Sequence, residues 1–392
     1  MPERKPFQWL SLRSGIRGDS QYLESIDVLR GWAILLVFVF HAWGISGGAE
    51  SRSSGSFLLA YIEAGRTGVT LFFVLSGFLL SLPWFVSNNN PSHSAISLKN
   101  YYLARFLRIV PLYYLAVLIA CLLTGEWQVG LRAALFQFVA FEIFPFSVVW
   151  WTLATEMQFY LILPLMMGLL LGGPFGRALL LALLLVWLWF YVTEVVWNPE
   201  GQRLRSYFLT KSLFGRLPAF LIGIAAAWAY LRLLSSSLPE SRRFRLTRPV
   251  IVILCIVALD VVLSRSVLLG DWESEANWHI HHTYEAMLWS IVLLMFVLPN
   301  PDRLFAGGRL ALAYLGKLSY SFYMWHVPVL FYLIYPVKER LGDGYMASHW
   351  FYVIPFVAFA LSVVLSLASY RWIELPGLNL KRRLPMMRGG KS

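Results

Sequence analysis

Arg30 and His41 stand eleven positions apart in LRGWAILLVFVFH, a stretch that is otherwise apolar. On an α-helix the two would be ~16 Å apart along the axis. Eleven residues are close to three whole turns, so both would share one face. Polar groups at two depths on one face of an apolar helix can line a path. A guanidinium suits a phosphate-bearing ligand, and histidine, which titrates near neutrality, can accept and return a proton. That pairing fits chemistry at the far end of a long arm whose other end carries phosphates. The plainer reading of His41 is a structural histidine bonded to a backbone carbonyl or to a neighbouring helix, and both readings stand at this level.

Arg105 and Arg108, in YYLARFLRIVPLYY, are three apart and share a helix face. They read equally as a phosphate clamp and as an interfacial helix snorkelling its arginines to lipid headgroups. Glu156 lies in WWTLATEMQFYLILPL, about ten residues into its apolar run. It is expected near the depth of His41, where it would orient the imidazole or hold an acceptor hydroxyl; the alternative is a structural, hydrogen-bonded glutamate. Asp260 and Glu285 are further acids inside apolar runs. His326, in SYSFYMWHVPV, is expected to hydrogen-bond across helices and hold them together. His279, His281 and His282 form WHIHH near Asp271 and Glu273, but spacing alone does not fix a ligand geometry, and no metal is expected there.

The elements that must position these groups are membrane helices. Hydrophobic residues make up 58% of the 392-residue chain and charged residues 14%, against about a quarter charged in soluble domains. The apolar residues are blocked into runs, several of which approach the roughly twenty residues that cross a bilayer. Runs and basic loops together give about ten spans, near 28–46, 67–86, 108–123, 147–170, 178–197, 212–231, 249–264, 283–299, 310–336 and 350–371. The expected fold is an all-α polytopic integral membrane helical bundle with both termini cytoplasmic, in the cell inner (cytoplasmic) membrane. Arg4, Lys5, Arg13, Arg17, Lys99, the cluster Arg242, Arg243, Arg245 and Arg248, and the tail Lys381, Arg382, Arg383 and Arg388 then lie inside, which accounts for much of the net charge of +12 without a nucleic-acid partner. Arg203, Arg205 and Lys211 resist this rule. Residues 131–146 form an ambiguous stretch, re-entrant, interfacial or spanning; counting them as a span would invert everything that follows.

The organisation expected is an N-terminal cytoplasmic arm (1–21), one transmembrane domain (22–376) and a basic cytoplasmic tail (377–392), with no repeat and no soluble domain. The first apolar run starts too far in to be a cleavable signal. Cys121 and Cys255 both fall in apolar runs and read as packed thiols. Phosphate-binding P-loop, G-x-S-x-G and dinucleotide fingerprints are absent from the sequence, leaving no support for ATP-driven transport or serine-hydrolase chemistry.

Six blocks in order resemble the acyltransferase-three family of integral membrane O-acyltransferases. They are YLESIDVLRGWAILLVFVFH with its Arg30 and His41, FFVLSGFLL (72–80), RFLR (105–108), WTLATEMQFYLILPL (151–165), LSYSFYMWHVPV (318–329) and RWIELP (371–376). The resemblance implies a cytoplasmic acyl-coenzyme A donor, most often acetyl-CoA, with His41 as the catalytic histidine and Arg30, Arg105 and Arg108 on the coenzyme's phosphates. It also implies a hydroxyl-bearing acceptor: an envelope polysaccharide, a glycolipid or a related molecule. His41 would act as general base or carry the acyl group transiently. Ser76, Thr155 and Tyr160 are candidate oxyanion donors, Arg30 being too far from His41 along the helix. Some members carry a further hydrolase-like domain, so this chain is expected to be a standalone member. The competing reading is a transporter or exporter of a glycan or lipid precursor, which would usually show internal repeats or broken helices.

Overall fold

The computed structural model of the chain describes residues 20–48, 59–89, 96–193, 211–268, 275–299 and 308–382. These are helical apart from short connections. The helices are α1 (Ser20–Ile45), α2 (Leu59–Glu63), α3 (Thr67–Asn89), α4 (Leu98–Thr124), α5 (Trp127–Ala134), α6 (Trp150–Leu171) and α7 (Pro174–Tyr191). They continue as α8 (Leu213–Leu234), α9 (Arg242–Leu268), α10 (Glu275–Val297), α11 (Arg309–Lys317), α12 (Ser319–Leu341), α13 (Trp350–Ser369) and α14 (Leu375–Arg382). Eight helical stretches among the described residues are long and apolar enough to cross a membrane. Of the ten expected spans, the two outside this set correspond to α10 and α12, whose sequences carry more polar residues. The chain is an all-α polytopic membrane bundle.

Two departures from the expected spans, and the outcome for the ambiguous stretch 131–146, bear on the site. The run 310–336 is broken at Leu318 into α11 and α12. Nine residues of helix extend only ~13.5 Å, so α11 cannot cross; it lies along α1 instead. Residues 131–146 make no spanning helix, because α5 ends at Ala134 and irregular turns follow until the short helical turn Ser147–Val149. α4 starts ten residues before the expected 108, capped by Ser97, whose Oγ accepts the Asn100 N–H at 3.4 Å. Reading polar residues as the end of a span had cut off its first turns. Arg203 and Arg205 lie outside the described residues.

The interior is built by α1, α3, α8, α10 and α12, with α7 and α13 turning most of their large apolar side chains outward. Leu181, Leu185, Trp189, Phe356 and Val364 are exposed, as suits a surface against hydrocarbon. Without a hydrophobic force between helices in lipid, close packing depends on small residues. Gly77 of α3 and Gly223 of α8 sit opposite each other: a Cβ on Gly223 would run into the Val74 carbonyl, and one on Gly77 into the Phe220 carbonyl. Gly31 of α1 and Gly316 of α11 repeat the arrangement against the Leu312 and Asp27 carbonyls. Because backbone cannot give way as a flexible side chain can, Gly223→Val is expected to destabilise at or above the upper end of the ~1–3 kcal/mol typical of overpacking. A thermal midpoint in detergent equal to wild type would refute that.

Arg248, expected among the basic residues of a cytoplasmic segment, is buried. Its guanidinium donates to the Pro299 and Leu298 carbonyls, both at 3.1 Å, and to that of Met295. These carbonyls close α10, where the helix leaves acceptors unsatisfied and favours positive charge.

Candidate active site

A cavity, about 770 Å³ when its open mouth is counted, lies between α1, α3, α4, α6 and α12. Three arginines line it: Arg30 from α1, and Arg105 and Arg108 from α4. The late expected start of α4 had put the last two at the membrane surface; with the helix beginning at Leu98 they fall in its second and third turns and reach the interior. Arg30 is paired with Asp27 at 3.6 Å. The Arg105 guanidinium carbon lies 5.9 and 6.0 Å from the ring centroids of Tyr101 and Tyr160, and its buried Nε has no hydrogen-bond partner among the described residues. Arg108 forms no hydrogen bond or close ion pair with the described residues, although Asp27 and Glu374 are within electrostatic reach. Guanidiniums that face a cavity with unused donors suit an anionic ligand.

Glu156 lines the same cavity. Its carboxylate accepts hydrogen bonds from Ser76 Oγ at 2.7 Å and from the Tyr160 hydroxyl at 3.0 Å. It therefore belongs with the arginines, and the expected approach to His41 is not what the helices make. Ser76 is nine residues, ~13.5 Å, into α3, and the register of α3 against α6 holds Glu156 at that level. Of the candidate oxyanion donors, Ser76 and Tyr160 are engaged by Glu156, and Thr155 donates to the carbonyls of Trp151 at 2.9 Å and Lys211 at 2.5 Å.

One turn away along α3, α6 and α12, the cavity wall is formed by Phe72, Thr152 and Tyr323. Thr152 Oγ1 and the Tyr323 hydroxyl are 2.9 Å apart, and the Phe72 and Tyr323 rings meet edge to face at 6.3 Å. Behind Tyr323 stands His326, 5.6 Å between ring centroids, and His326 touches His41, with Nε2 of the former 3.1 Å from Nδ1 of the latter. His41 Nδ1 is also 3.0 Å from the Val37 carbonyl. The bond to a backbone carbonyl and to a neighbouring helix, which was the plainer reading of His41, is thus present. It leaves Nε2 without a partner among the described residues, so structural anchoring and chemistry are compatible in one side chain. His326 as the partner was not legible from spacing, since 285 positions separate the two; the polar signal was only a histidine inside MWHVP.

Glu285 and His282 are taken up elsewhere. Glu285 accepts a bond from Thr70 Oγ1 at 3.0 Å, and His282 Nδ1 lies 2.9 Å from the same hydroxyl. Trp289 Nε1 donates to Thr67 at 2.8 Å. This buried network fastens α10 to α3. Lys211 and Arg216 both lie over the Trp151 ring, at 4.5 and 5.2 Å. Lys211, which broke the charge rule, is thus not simply a loop residue. The side chain of His279 lies outside the described residues.

The membrane bundle thus holds a cavity lined by three arginines, with the His41–His326 contact behind the Tyr323 part of its wall. The profile described as an acyltransferase domain matches residues 23–371, and the chain belongs to this acyltransferase-three family. It is similar to the O-acetyltransferase OatA of Staphylococcus aureus (strain NCTC 8325 / PS 47), 24% identical over 383 residues, covering 91% of this chain and 57% of OatA. It is also similar to the putative peptidoglycan O-acetyltransferase YrhL of Bacillus subtilis (strain 168), 26% identical over 400 residues, covering 91% of this chain and 55% of that protein. The chain thus spans rather more than half the length of these relatives. No solved structure matches it.

Proposed function

We propose that the protein is a membrane O-acyltransferase that moves an acyl group, most simply acetyl, from cytoplasmic acyl-CoA to a hydroxyl of an envelope glycan. The observation that carries this is the cavity itself, with three guanidiniums at one part of its wall and the His41–His326 pair behind another. Family membership and relatives named as O-acetyltransferases support the reaction type.

In this reading Arg30, Arg105 and Arg108 hold the phosphates of the donor, and the cavity takes its extended arm, so that the thioester stops beside His41. Such positioning supplies much of the rate by itself. His41 Nε2 then removes the proton from the acceptor hydroxyl as its oxygen attacks the thioester carbon. The C–O bond forms, the C–S bond breaks, and the imidazolium returns its proton to the departing thiolate. In a relay version Nε2 attacks the thioester carbon and the C–S bond breaks to release the thiolate; the acceptor oxygen then attacks the acyl-imidazole, the C–N bond breaks, and the hydroxyl proton goes to the thiolate. Glu156, bridging Ser76 and Tyr160 beside the arginines, keeps the donor end of the cavity ordered. The protein sits in the cytoplasmic membrane with the arginine end of the cavity on the cytoplasmic side, and the acceptor class suggested by the relative YrhL is peptidoglycan or a similar surface glycan.

The test is transfer from acyl-labelled acetyl-CoA by the purified protein in lipid nanodiscs, with glycan oligosaccharides as acceptors. The expected product is a labelled ester that mild base releases, absent with empty nanodiscs. Binding or release of a glycan with no acyl-CoA consumed would favour an exporter and overturn the proposal.

A further inference from the structure

We propose that His326 is the positioning residue for His41: it sets the reactive tautomer of the imidazole and receives its N–H bond as charge develops during transfer. The inference rests on the reading of His41 as base or acyl carrier, and it follows from counting donors and acceptors.

His326 Nδ1 lies 2.9 Å from the Tyr323 carbonyl and 3.2 Å from that of Phe322. Carbonyls only accept, so this nitrogen carries the proton. The ring is fully buried among Phe38, Phe322 and Tyr323, surroundings that keep an imidazole neutral. Its Nε2 is therefore a lone-pair acceptor. His41 Nδ1 faces two acceptors, this Nε2 at 3.1 Å and the Val37 carbonyl at 3.0 Å, so His41 also carries its proton on Nδ1. The lone pair of His41 is thereby placed on Nε2.

The two acceptors are not equivalent. In a helix the Val37 carbonyl already receives the backbone N–H four residues on, which is that of His41 itself. The imidazole nitrogen of His326 has no other donor among the described residues. When His41 Nε2 takes up a proton or an acyl group, the ring becomes cationic and Nδ1–H becomes a stronger donor. In a buried site a bond that strengthens at that moment lowers the barrier more than it aids binding. His326 is not among the residues lining the arginine-bearing cavity, so its effect should fall on turnover and spare donor affinity. Lys211 is the charged group among the described residues within electrostatic reach of His41, and it is unchanged in every variant below.

The experiment compares His326→Leu, His326→Gln and His326→Asn with wild type and His41→Ala in nanodiscs, at matched thermal midpoints. A glutamine amide reaches the position of Nε2 and offers an acceptor oxygen there; an asparagine amide reaches only the position of Nδ1. We expect His326→Leu to lower kcat by about 10- to 100-fold, in line with loss of a charge-assisted hydrogen bond, with KM for acetyl-CoA unchanged. His326→Gln should recover most of the loss and His326→Asn should not. The acid limb of the kcat profile should move to lower pH in His326→Leu, because the imidazolium loses its acceptor. Equal losses in Gln and Asn, or a KM effect in place of a kcat effect, would overturn the inference, and the Gln–Asn comparison decides it even if Leu lowers the yield. Full activity in His326→Leu with none in His41→Ala would overturn the inference alone. Full activity in His41→Ala would overturn the reading of His41 beneath it.

Discussion

Replacing His41 by alanine is expected to reduce acyl transfer by about 10²–10⁴-fold, the usual share of a positioned general base, and to leave acyl-CoA binding near wild type. The size of the effect follows from the lack of a substitute. Ser76 and Tyr160 are committed to Glu156, and Thr155 to backbone carbonyls. His326 is adjacent, but its Nδ1 is held by the Phe322 and Tyr323 carbonyls, and the missing side chain leaves its Nε2 short of the reacting atoms by the width of a ring. The space so created suits a small base, so added imidazole should restore part of the rate. The measurement is single-turnover transfer of labelled acetyl, with donor affinity measured separately. Transfer at the wild-type rate in His41→Ala would remove this residue from the mechanism.

The second large effect concerns donor recognition. Removing Arg105 and Arg108 together should raise KM for acetyl-CoA by about 100-fold or more, each charge-assisted bond to a phosphate contributing about 1.5–3 kcal/mol. Lysine at either position should recover only part of this, since an ammonium lacks the planar fork that matches phosphate oxygens. A general collapse of the cavity would look similar, so the donor must be varied too. S-acetylpantetheine carries the thioester arm without the nucleotide. If the arginines act on phosphates, wild type and the double variant should use this truncated donor with nearly equal kcat/KM, while differing widely on acetyl-CoA. An equal loss on both donors would show that the arginines hold the cavity together and leave the phosphates to other groups. Arg30 is left out of this comparison because its pair with Asp27, next to the contact of Gly316 with the Asp27 carbonyl, ties it to the packing of α11 on α1.

Much of this protein was readable along the chain. The class of fold was, because a crossing segment must satisfy its backbone internally, and apolar runs of roughly twenty residues record the helical solution directly. The candidate residues were readable too: ionisable groups are costly at membrane depth, so Arg30, His41, Arg105, Arg108 and Glu156 stand out from their surroundings as candidates. What a run of hydrophobicity does not record is which way each helix faces and how far it slides against its neighbours. Glu156 was matched to His41 by counting from the ends of their runs, yet the register of α3 on α6 gives it to Ser76 and Tyr160. Taking polar residues as the end of a span places Arg105 and Arg108 at the surface, whereas α4 begins at Leu98, capped by Ser97. Leu318 breaks what looked like one long span, because α11 is held flat on α1 through glycines 285 positions apart in the chain. The His41–His326 contact joins residues at the same separation. Such contacts come from close approach between backbones and from satisfying buried donors, both of which belong to pairs of helices and leave no periodic trace in either one.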